Sequence, residues 1–209
     1  MPRDKSATHE KLVHNMKEEF LKNGYMKASL TDIAKKTGIT AAAIYRHFPN
    51  KEAMFKATVE PVTSEFLKMC DDSDDSMEET YMRLDEKHFL QNFNEFRNKK
   101  NIEMIDYIYD HHDVFKLLLS CSDGTEYDSF QEKLIAIEVQ DILEMFKILD
   151  QRHIPHKKVT DEELHILSTT VVTALCEPVK HGYSKEKALH HADFVGRMLY
   201  PGMREVLGF

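Results

Sequence analysis

Apolar residues recur at helical spacing along almost the whole chain. In residues 10–23, for example, Val13, Met16 and Phe20 fall on one face of a helix. No segment alternates apolar and polar residues as a strand does, and no hairpin dipeptide separates two such segments. The pattern therefore predicts an all-α chain of about nine helices.

Two short helices are predicted unusually close together between residues 29 and 48. Ser29, with Asp32 three residues later, has the spacing of a capping box, and Thr40 is a second N-cap candidate. Gly38 suits the left-handed residue that follows a helix C-terminus. So short a turn makes the two helices cross at a steep angle, which is the geometry of a helix-turn-helix.

Residues 24–54, "GYMKASLTDIAKKTGITAAAIYRHFPNKEAM", resemble the DNA-binding signature of the TetR (tetracycline-repressor) family, and the similarity extends over about residues 10–56. It rests on many positions at fixed spacing: Gly24-Tyr25, Ser29, Ile33-Ala34, Gly38-Ile39, Thr40, Ile44 to Phe48 and Lys51. The resemblance implies an N-terminal three-helix helix-turn-helix domain over residues 1–56. It also implies a C-terminal helical ligand-binding and dimerisation domain over residues 57–209.

The resemblance also implies which residues contact DNA. Base edges in the major groove would be met by the start of the second short helix, at Thr40, Ala41 and Ala43. Phosphates would be met by the polar end of that helix and by the N-terminus of the preceding one, at Tyr45, His47, Lys51, Ser29 and Thr31. Arg46 would reach either a guanine or a phosphate, and the sequence leaves both open.

The net charge of −8 does not suit a DNA-binding protein, but the charge is unevenly distributed. Residues 1–60 contain 11 Lys and Arg against 7 Asp and Glu, whereas residues 61–209 contain 17 against 29. A basic module on an acidic body is typical of a protein that meets phosphates with one end. An excess of this size is also ordinary, so charge alone does not establish the interpretation.

Hydropathy and cysteine content indicate in which cellular compartment the protein is located. No apolar segment approaches the ~20 residues of a membrane span, and the first residues lack the apolar stretch of a secretory signal. The three cysteines, Cys70, Cys121 and Cys176, are widely spaced and odd in number. They indicate reduced thiols and a cytoplasmic location with no membrane partner, not a disulfide framework.

Other candidate chemistry is weak. The acidic run at residues 71–76 is predicted to be a solvated loop, because it lacks the glycine of a calcium-binding EF-hand loop. His153 and His156 could form half of a metal site, but solvated histidines are the simpler interpretation. Cys121 lies near His111 in the sequence without further sign of a nucleophile and base. We therefore expect no metal, no cofactor and no catalysis, and an enzyme with an incidental helix-turn-helix remains an alternative.

A stripe of one methionine and three phenylalanines is the candidate ligand site. In a helix predicted over residues 77–98, the stripe consists of Met82, Phe89, Phe93 and Phe96. Packing in the core is its default role, but the resemblance implies that part of it, with Tyr107, lines a cavity for a largely apolar small molecule.

Two helices are predicted at residues 161–181 and 184–207, the first opened by a capping box of Thr160 and Glu163 and the second capped by Ser184. Both carry apolar residues on more than one face. A four-helix interface between two copies would bury the second face, so a homodimer is expected; a wholly intrachain core is the alternative.

Pro61 predicts a kink or break near residues 58–61, between the expected DNA-binding and ligand-binding domains. Either a hinge that carries the ligand signal or a tolerated surface bend would fit this position.

These observations together predict a sequence-specific DNA-binding transcriptional regulator. The expected form is a homodimeric repressor that binds double-stranded DNA at a palindromic operator and is released by a small-molecule ligand. A DNA-binding co-regulator that needs no ligand is the principal alternative.

Overall fold

A computed structural model describes the backbone of residues 5–83 and 86–208 and the side chains of residues 8–70 and 93–208. Within these residues the predicted all-α class is confirmed, with no strand. The described helices are α1 (Lys5–Lys27), α2 (Leu30–Thr37), α3 (Ala41–Ile44), α4 (Lys51–Arg83), α5 (Glu86–Asp110), α6 (His112–Ser120), α7 (Phe130–Gln151), α8 (Asp161–Lys180) and α9 (Lys185–Leu207).

The chain forms two compact units. The first comprises Met1–Glu65 and His111–Ser129, and the second comprises Phe66–Asp110 and Phe130–Phe209. The boundary expected at residue 56 lies within α4, and the division between the units falls further along that helix. The ligand-binding and dimerisation roles expected for residues 57–209 stay predictions.

The first unit has a small apolar core that fixes α1 to α4. Residues at helical spacing on α1 are buried together with apolar residues of α2, α3 and α4: Leu12, Met16, Phe20, Ile33, Ile44, Met54, Phe55 and Val59. α1 bends at Gly24, whose φ of 72° lies in the left-handed region that glycine adopts without a steric cost. The core thus holds the two short helices α2 and α3 despite the low intrinsic stability of helices this short.

Helix α4 corrects three predictions. It runs without interruption through Pro61, so the predicted break there is wrong. Proline removes one backbone donor, but nearby hydroxyls make further bonds to helix carbonyls, from Thr58 to Phe55 at 2.6 Å and from Thr63 to Val59 at 2.8 Å. The acidic run at residues 71–76 is helical and not a loop, because each Asp or Ser costs only up to about 0.7 kcal/mol relative to Ala.

The prediction that residues 77–98 form one helix is also wrong. The first part of this segment belongs to α4, which ends at Arg83, and its second part belongs to α5, which begins at Glu86. Met82 therefore lies on a different helix from Phe89, Phe93 and Phe96.

The second unit is built from α5, α7, α8 and α9 around one apolar cluster. The cluster includes Phe93, Ile142, Met145, Ile148, Leu149, Ile154, Leu164, Val171, Tyr200, Met203 and Leu207. The predicted N-caps of α8 and α9 are confirmed: Thr160 forms a reciprocal capping box with Glu163, and the Ser184 hydroxyl accepts the N–H of Lys187. Both C-terminal helices bury one side in this cluster, while Ile166, Phe194 and Met198 remain exposed.

Candidate functional site

The helix-turn-helix is closed by the caps that the sequence predicts. The Ser29 hydroxyl accepts the backbone N–H of Asp32 at 3.2 Å, and the Thr40 hydroxyl accepts that of Ala43 at 3.1 Å. Gly38, with a φ of 75°, ends α2 in the left-handed conformation, and its own N–H donates to carbonyls of the last turn. The turn between α2 and α3 is therefore fixed at both ends by local hydrogen bonds.

Two polar side chains inside the apolar face of α1 position α2. Buried Glu19 accepts the backbone N–H of Ser29 at 3.2 Å, the bond that Asp32 would make in a capping box. Buried Asn15 donates to the Thr37 hydroxyl at 3.0 Å. Sequence reasoning missed both residues, although a carboxylate on a buried helix face was a usable signal.

The segment from Thr40 to His47 has one buried residue, with exposed residues on either side of it. Ile44 is buried in the core, and Phe48 is buried just beyond the segment. The residues left on the outside, here called the recognition surface, are Thr40, Ala41, Ala42, Tyr45, Arg46 and His47. Tyr45 is 53% exposed, so its ring is available for contact on this side of the segment. The anchors thus fix one side of this short segment and leave the other side open.

The other predicted DNA-contact residues differ in how exposed their side chains are. Thr31 is exposed on the first turn of α2, whereas Ser29 and Ala43 are half-buried. The His47 ring lies 5.7 Å from that of His9 on α1, centroid to centroid.

Lys51 makes two contacts within the unit. Its Nζ donates to the Met26 carbonyl oxygen at 3.1 Å and lies 5.0 Å from the centroid of the Tyr25 ring. Burial lowers the pKa of Lys51, and the charge of Glu19 opposes this shift. The side chain is half-buried, and its contact with a phosphate stays a prediction.

The turn after α6 belongs to the same unit as the helix-turn-helix, which was not anticipated. The Tyr25 N–H donates to the Cys121 carbonyl at 2.9 Å, and Lys56 pairs with Glu126 at 3.1 Å. The Tyr127 hydroxyl donates to the Glu60 carboxylate. Burial, and then this carboxylate, raise the pKa of Tyr127.

The second unit contains a cavity between α5, α7, α8 and the part of α4 that begins at Phe66. Its volume is about 60 Å³. The walls are mostly apolar, and the polar side chains at the lining come from α5 and α7: Lys100, Asn101, Glu138 and Asp141.

These polar residues form a buried ionic network with Arg97. Arg97 pairs with Glu138 and, at 3.5 Å, with Oδ2 of Asp141; Lys100 donates to the same oxygen at 2.9 Å. Burial raises the pKa of Glu138, with Arg97 opposing and Asp141 adding to the shift. Oδ1 of Asp141 has no hydrogen-bond partner among the described residues.

The side chains of three residues predicted to line a ligand site are described, and none of the three lines this cavity. Phe93 is buried in the apolar cluster, and Phe96 packs against that cluster. The Tyr107 ring lies 5.8 Å from that of Phe66, a residue of the cavity wall. The side chains of Met82 and Phe89 lie outside the described residues.

Two of the three cysteines lie in surroundings that disfavour a reactive thiolate. Burial raises the pKa of Cys176 to about 12 and also raises that of Cys121, which disfavours the reactive thiolate. In the described ranges, no three His, Cys, Asp or Glu side chains are grouped to hold a metal ion. None of the described helices is long and apolar enough to span a bilayer.

Comparison with known proteins agrees with this geometry. Residues 16–58 match the model of the bacterial regulatory proteins of the tetR family. The nucleoid occlusion factor SlmA of Marinobacter nauticus is 28% identical over 90 residues, or 43% of this chain and 46% of that protein. The HTH-type transcriptional regulator TtgR of Pseudomonas putida is 33% identical over 91 residues, or 42% of each chain. The aligned part therefore spans about half the length of the curated relatives.

The fold similarity extends over nearly the whole chain. The structure of a TetR family transcriptional regulator, the CifR cysteine mutant complexed with 26-base-pair double-strand operator DNA, matches 91% of this chain and 95% of that one, with a TM-score of 0.58 and 15% identity. At this identity the match supports the fold alone. The helix-turn-helix geometry and the family model over it lead to one conclusion: residues 16–58 are a DNA-binding domain of the tetR family of bacterial regulatory proteins.

Proposed function

We propose that this regulator is a homodimeric repressor that binds an inverted-repeat DNA operator and leaves it when a small molecule occupies the second unit. The observation that carries the proposal is the recognition surface, where Ile44 is buried while Tyr45, Arg46 and His47 are exposed on one short segment. A segment so displayed fits the major groove, with its start at base edges and its polar end at phosphates.

Two copies are needed because one short helix reads only a few base pairs. The exposed apolar residues of α8 and α9 support a contact between copies: Ile166, Phe194 and Met198 lie outside the intrachain core. A two-fold interface through these helices would bury them and give the dimer the symmetry of a palindrome.

The cavity favours a ligand-controlled repressor over a co-regulator that needs no ligand. A ligand-independent body would be expected to be packed solid, as protein interiors generally are. The cavity of about 60 Å³ is smaller than most small-molecule sites, but its lining, mostly apolar with a few polar groups, is of the kind that such sites have.

DNA binding is tested by selection from random duplexes with the full-length chain. We expect enrichment of inverted repeats whose half-sites lie about one helical turn or more apart. Enrichment of single half-sites, or no enrichment, would contradict the proposal. Release by a ligand is tested separately, by measuring operator affinity with and without compounds that bind the protein.

A further inference from the structure

Helix α8 contains a proline near its C-terminal end, and a side chain of α9 makes up for the donor that the proline lacks. Pro178 has no backbone N–H, so the bond that residue 178 of a regular helix would donate to the Ala174 carbonyl cannot form. Nε2 of His191, on α9, lies 2.9 Å from that carbonyl oxygen. A carbonyl can only accept, so Nε2 carries the proton and donates it. The carbonyl of α8 is thus satisfied from a different helix.

The turn between the two helices helps to hold the His191 ring in place. The Tyr183 N–H donates to the Pro178 carbonyl at 2.9 Å, which fixes the turn to the end of α8. The Tyr183 ring then lies 6.3 Å from that of His191, centroid to centroid, and at 90° to it. This edge-to-face arrangement is a favourable one for two rings. It leaves the half-buried imidazole less freedom to rotate away from α8.

The bond lies in line with exposed apolar residues of both helices. Ile166 comes eight positions before Ala174 on α8, and Met198 comes seven positions after His191 on α9. Residues at such spacings share one stripe of a helix. At 1.5 Å per residue, Ile166 and Met198 are about 12 Å and about 10 Å along their helices from the bond. Because α8 and α9 are joined by residues 181–184 alone and pack as antiparallel neighbours, both side chains come out at nearly the same level.

We propose that His191 is a positioning residue for the contact between two copies of the chain. Its bond to Ala174 fixes the register of α8 against α9, and that register aligns Ile166 with Met198 in one apolar face. The inference rests on the proposed function, in which these two helices meet a second copy. It gives His191 a role distinct from that of the exposed side chains, which would touch the partner themselves. Without the bond, α8 and α9 can slide past each other, and the face is no longer continuous.

Urea unfolding of the full-length protein tests the bond itself. All variants carry Met198→Glu, which places a charge in the proposed contact so that dissociation of a dimer adds nothing to the measurement. His191→Leu takes the donor from the Ala174 carbonyl, so the equilibrium constant for folding should fall about tenfold. Pro178→Ala returns a backbone donor to that carbonyl, and in its presence the fall should be less than about threefold. An equal fall with and without Pro178→Ala, or as large a fall in the exposed control His190→Leu, would overturn the proposal.

Sedimentation without Met198→Glu tests the positioning role, at a temperature at which thermal unfolding shows every variant to be folded. His191→Leu should raise the dissociation constant of the dimer about tenfold, because the two helices lose their register. His191→Gln places an N–H where Nε2 of the imidazole lies, and should raise the constant by less than about threefold. Pro178→Ala should not restore the dimer of His191→Leu, because it satisfies the carbonyl within α8 and makes no bond to α9.

The outcomes separate this inference from the proposed function. A dimer that His191→Leu leaves unchanged, that His191→Gln weakens as much, or that Pro178→Ala restores would overturn the inference and leave the proposed dimer standing. If His191→Leu does not fold, His191→Asn takes its place, because its side chain carries the same amide as glutamine but is too short to reach Ala174. An unaltered chain that is monomeric would contradict the proposed function and the positioning role with it, whereas the unfolding experiment would still report the bond.

Discussion

Glu19 accepts the backbone N–H of Ser29 at 3.2 Å, so a buried carboxylate on α1 fixes the point at which α2 begins. Glu19 also accepts from the side chain of Asn23 at 2.6 Å. The orientation of the helix-turn-helix therefore depends on a residue that has no expected contact with DNA.

Replacing Glu19 by alanine should lower the free energy of unfolding of the first unit by about 2 kcal/mol, since hydrogen bonds to a buried charged group are lost. Operator affinity should fall with it. Urea unfolding measures the first effect and a gel-shift titration the second. Glu18→Ala is the matched control: both carboxylates lie 3.8 Å from the Lys36 ammonium, but Glu18 is exposed, so less than about 0.5 kcal/mol is expected. Equal losses in the two variants would contradict this role for Glu19.

Lys51→Gln tests the predicted phosphate contact. Losing one cation from the interface should weaken binding to all duplexes alike and flatten the slope of log affinity against log salt by about 0.9. Lys56→Gln on the same helix is the control, because Lys56 pairs with Glu126 and no phosphate contact is expected for it. If Lys51→Gln destabilises the protein but leaves the salt slope unchanged, its bond to Met26 is its whole role.

Ala41→Gln tests base reading. Ala41 is exposed at the start of α3, so a longer polar side chain there should change which operator sequence is preferred while the salt slope stays the same. Selection from random duplexes measures the preference. Ala136→Gln, an exposed alanine on α7, should have no effect. An unchanged preference in Ala41→Gln would mean that α3 does not face the bases.

Local chemistry explains what the sequence could predict. The caps at Ser29, Thr40, Thr160 and Ser184 are confirmed, because each depends on hydrogen bonds between residues three positions apart. The left-handed end of α2 at Gly38 is confirmed for the same reason.

The errors came from treating local signals as decisive. Pro61 and the acidic run at residues 71–76 both disfavour a helix, yet α4 continues through them. Buried Phe66 and Cys70 lie between the two signals. Tertiary burial of this kind outweighs the cost of about 3 kcal/mol for a proline and of less than about 1 kcal/mol for each Asp or Ser.

The ionic network of the second unit was beyond sequence reasoning. Arg97, Lys100 and Asp141 come from segments about forty positions apart, and none belongs to a motif. Their pairing depends on how α5 and α7 pack, which no local pattern specifies. The cavity beside them was unpredictable for the same reason.

Met198→Glu tests the proposed contact between copies. Met198 is 54% exposed on α9, and a charge placed there would lose its hydration in a dimer interface. Sedimentation should find the variant as a monomer at concentrations where the unaltered chain is a dimer. Met26→Glu, on the first unit and 67% exposed, is the control and should leave the dimer intact. A dimeric Met198→Glu protein would place the interface elsewhere.

Cooperative reading of DNA by two recognition surfaces, held by one dimer, follows from the proposed function. Its most direct test is the affinity of the full-length protein for a selected inverted repeat, compared with the same duplex in which one half-site is scrambled. We expect a loss of affinity of at least about a hundredfold, since the contacts of one half-site, worth roughly 3 kcal/mol, are removed. Equal affinity for the intact and the half-scrambled duplex would contradict it.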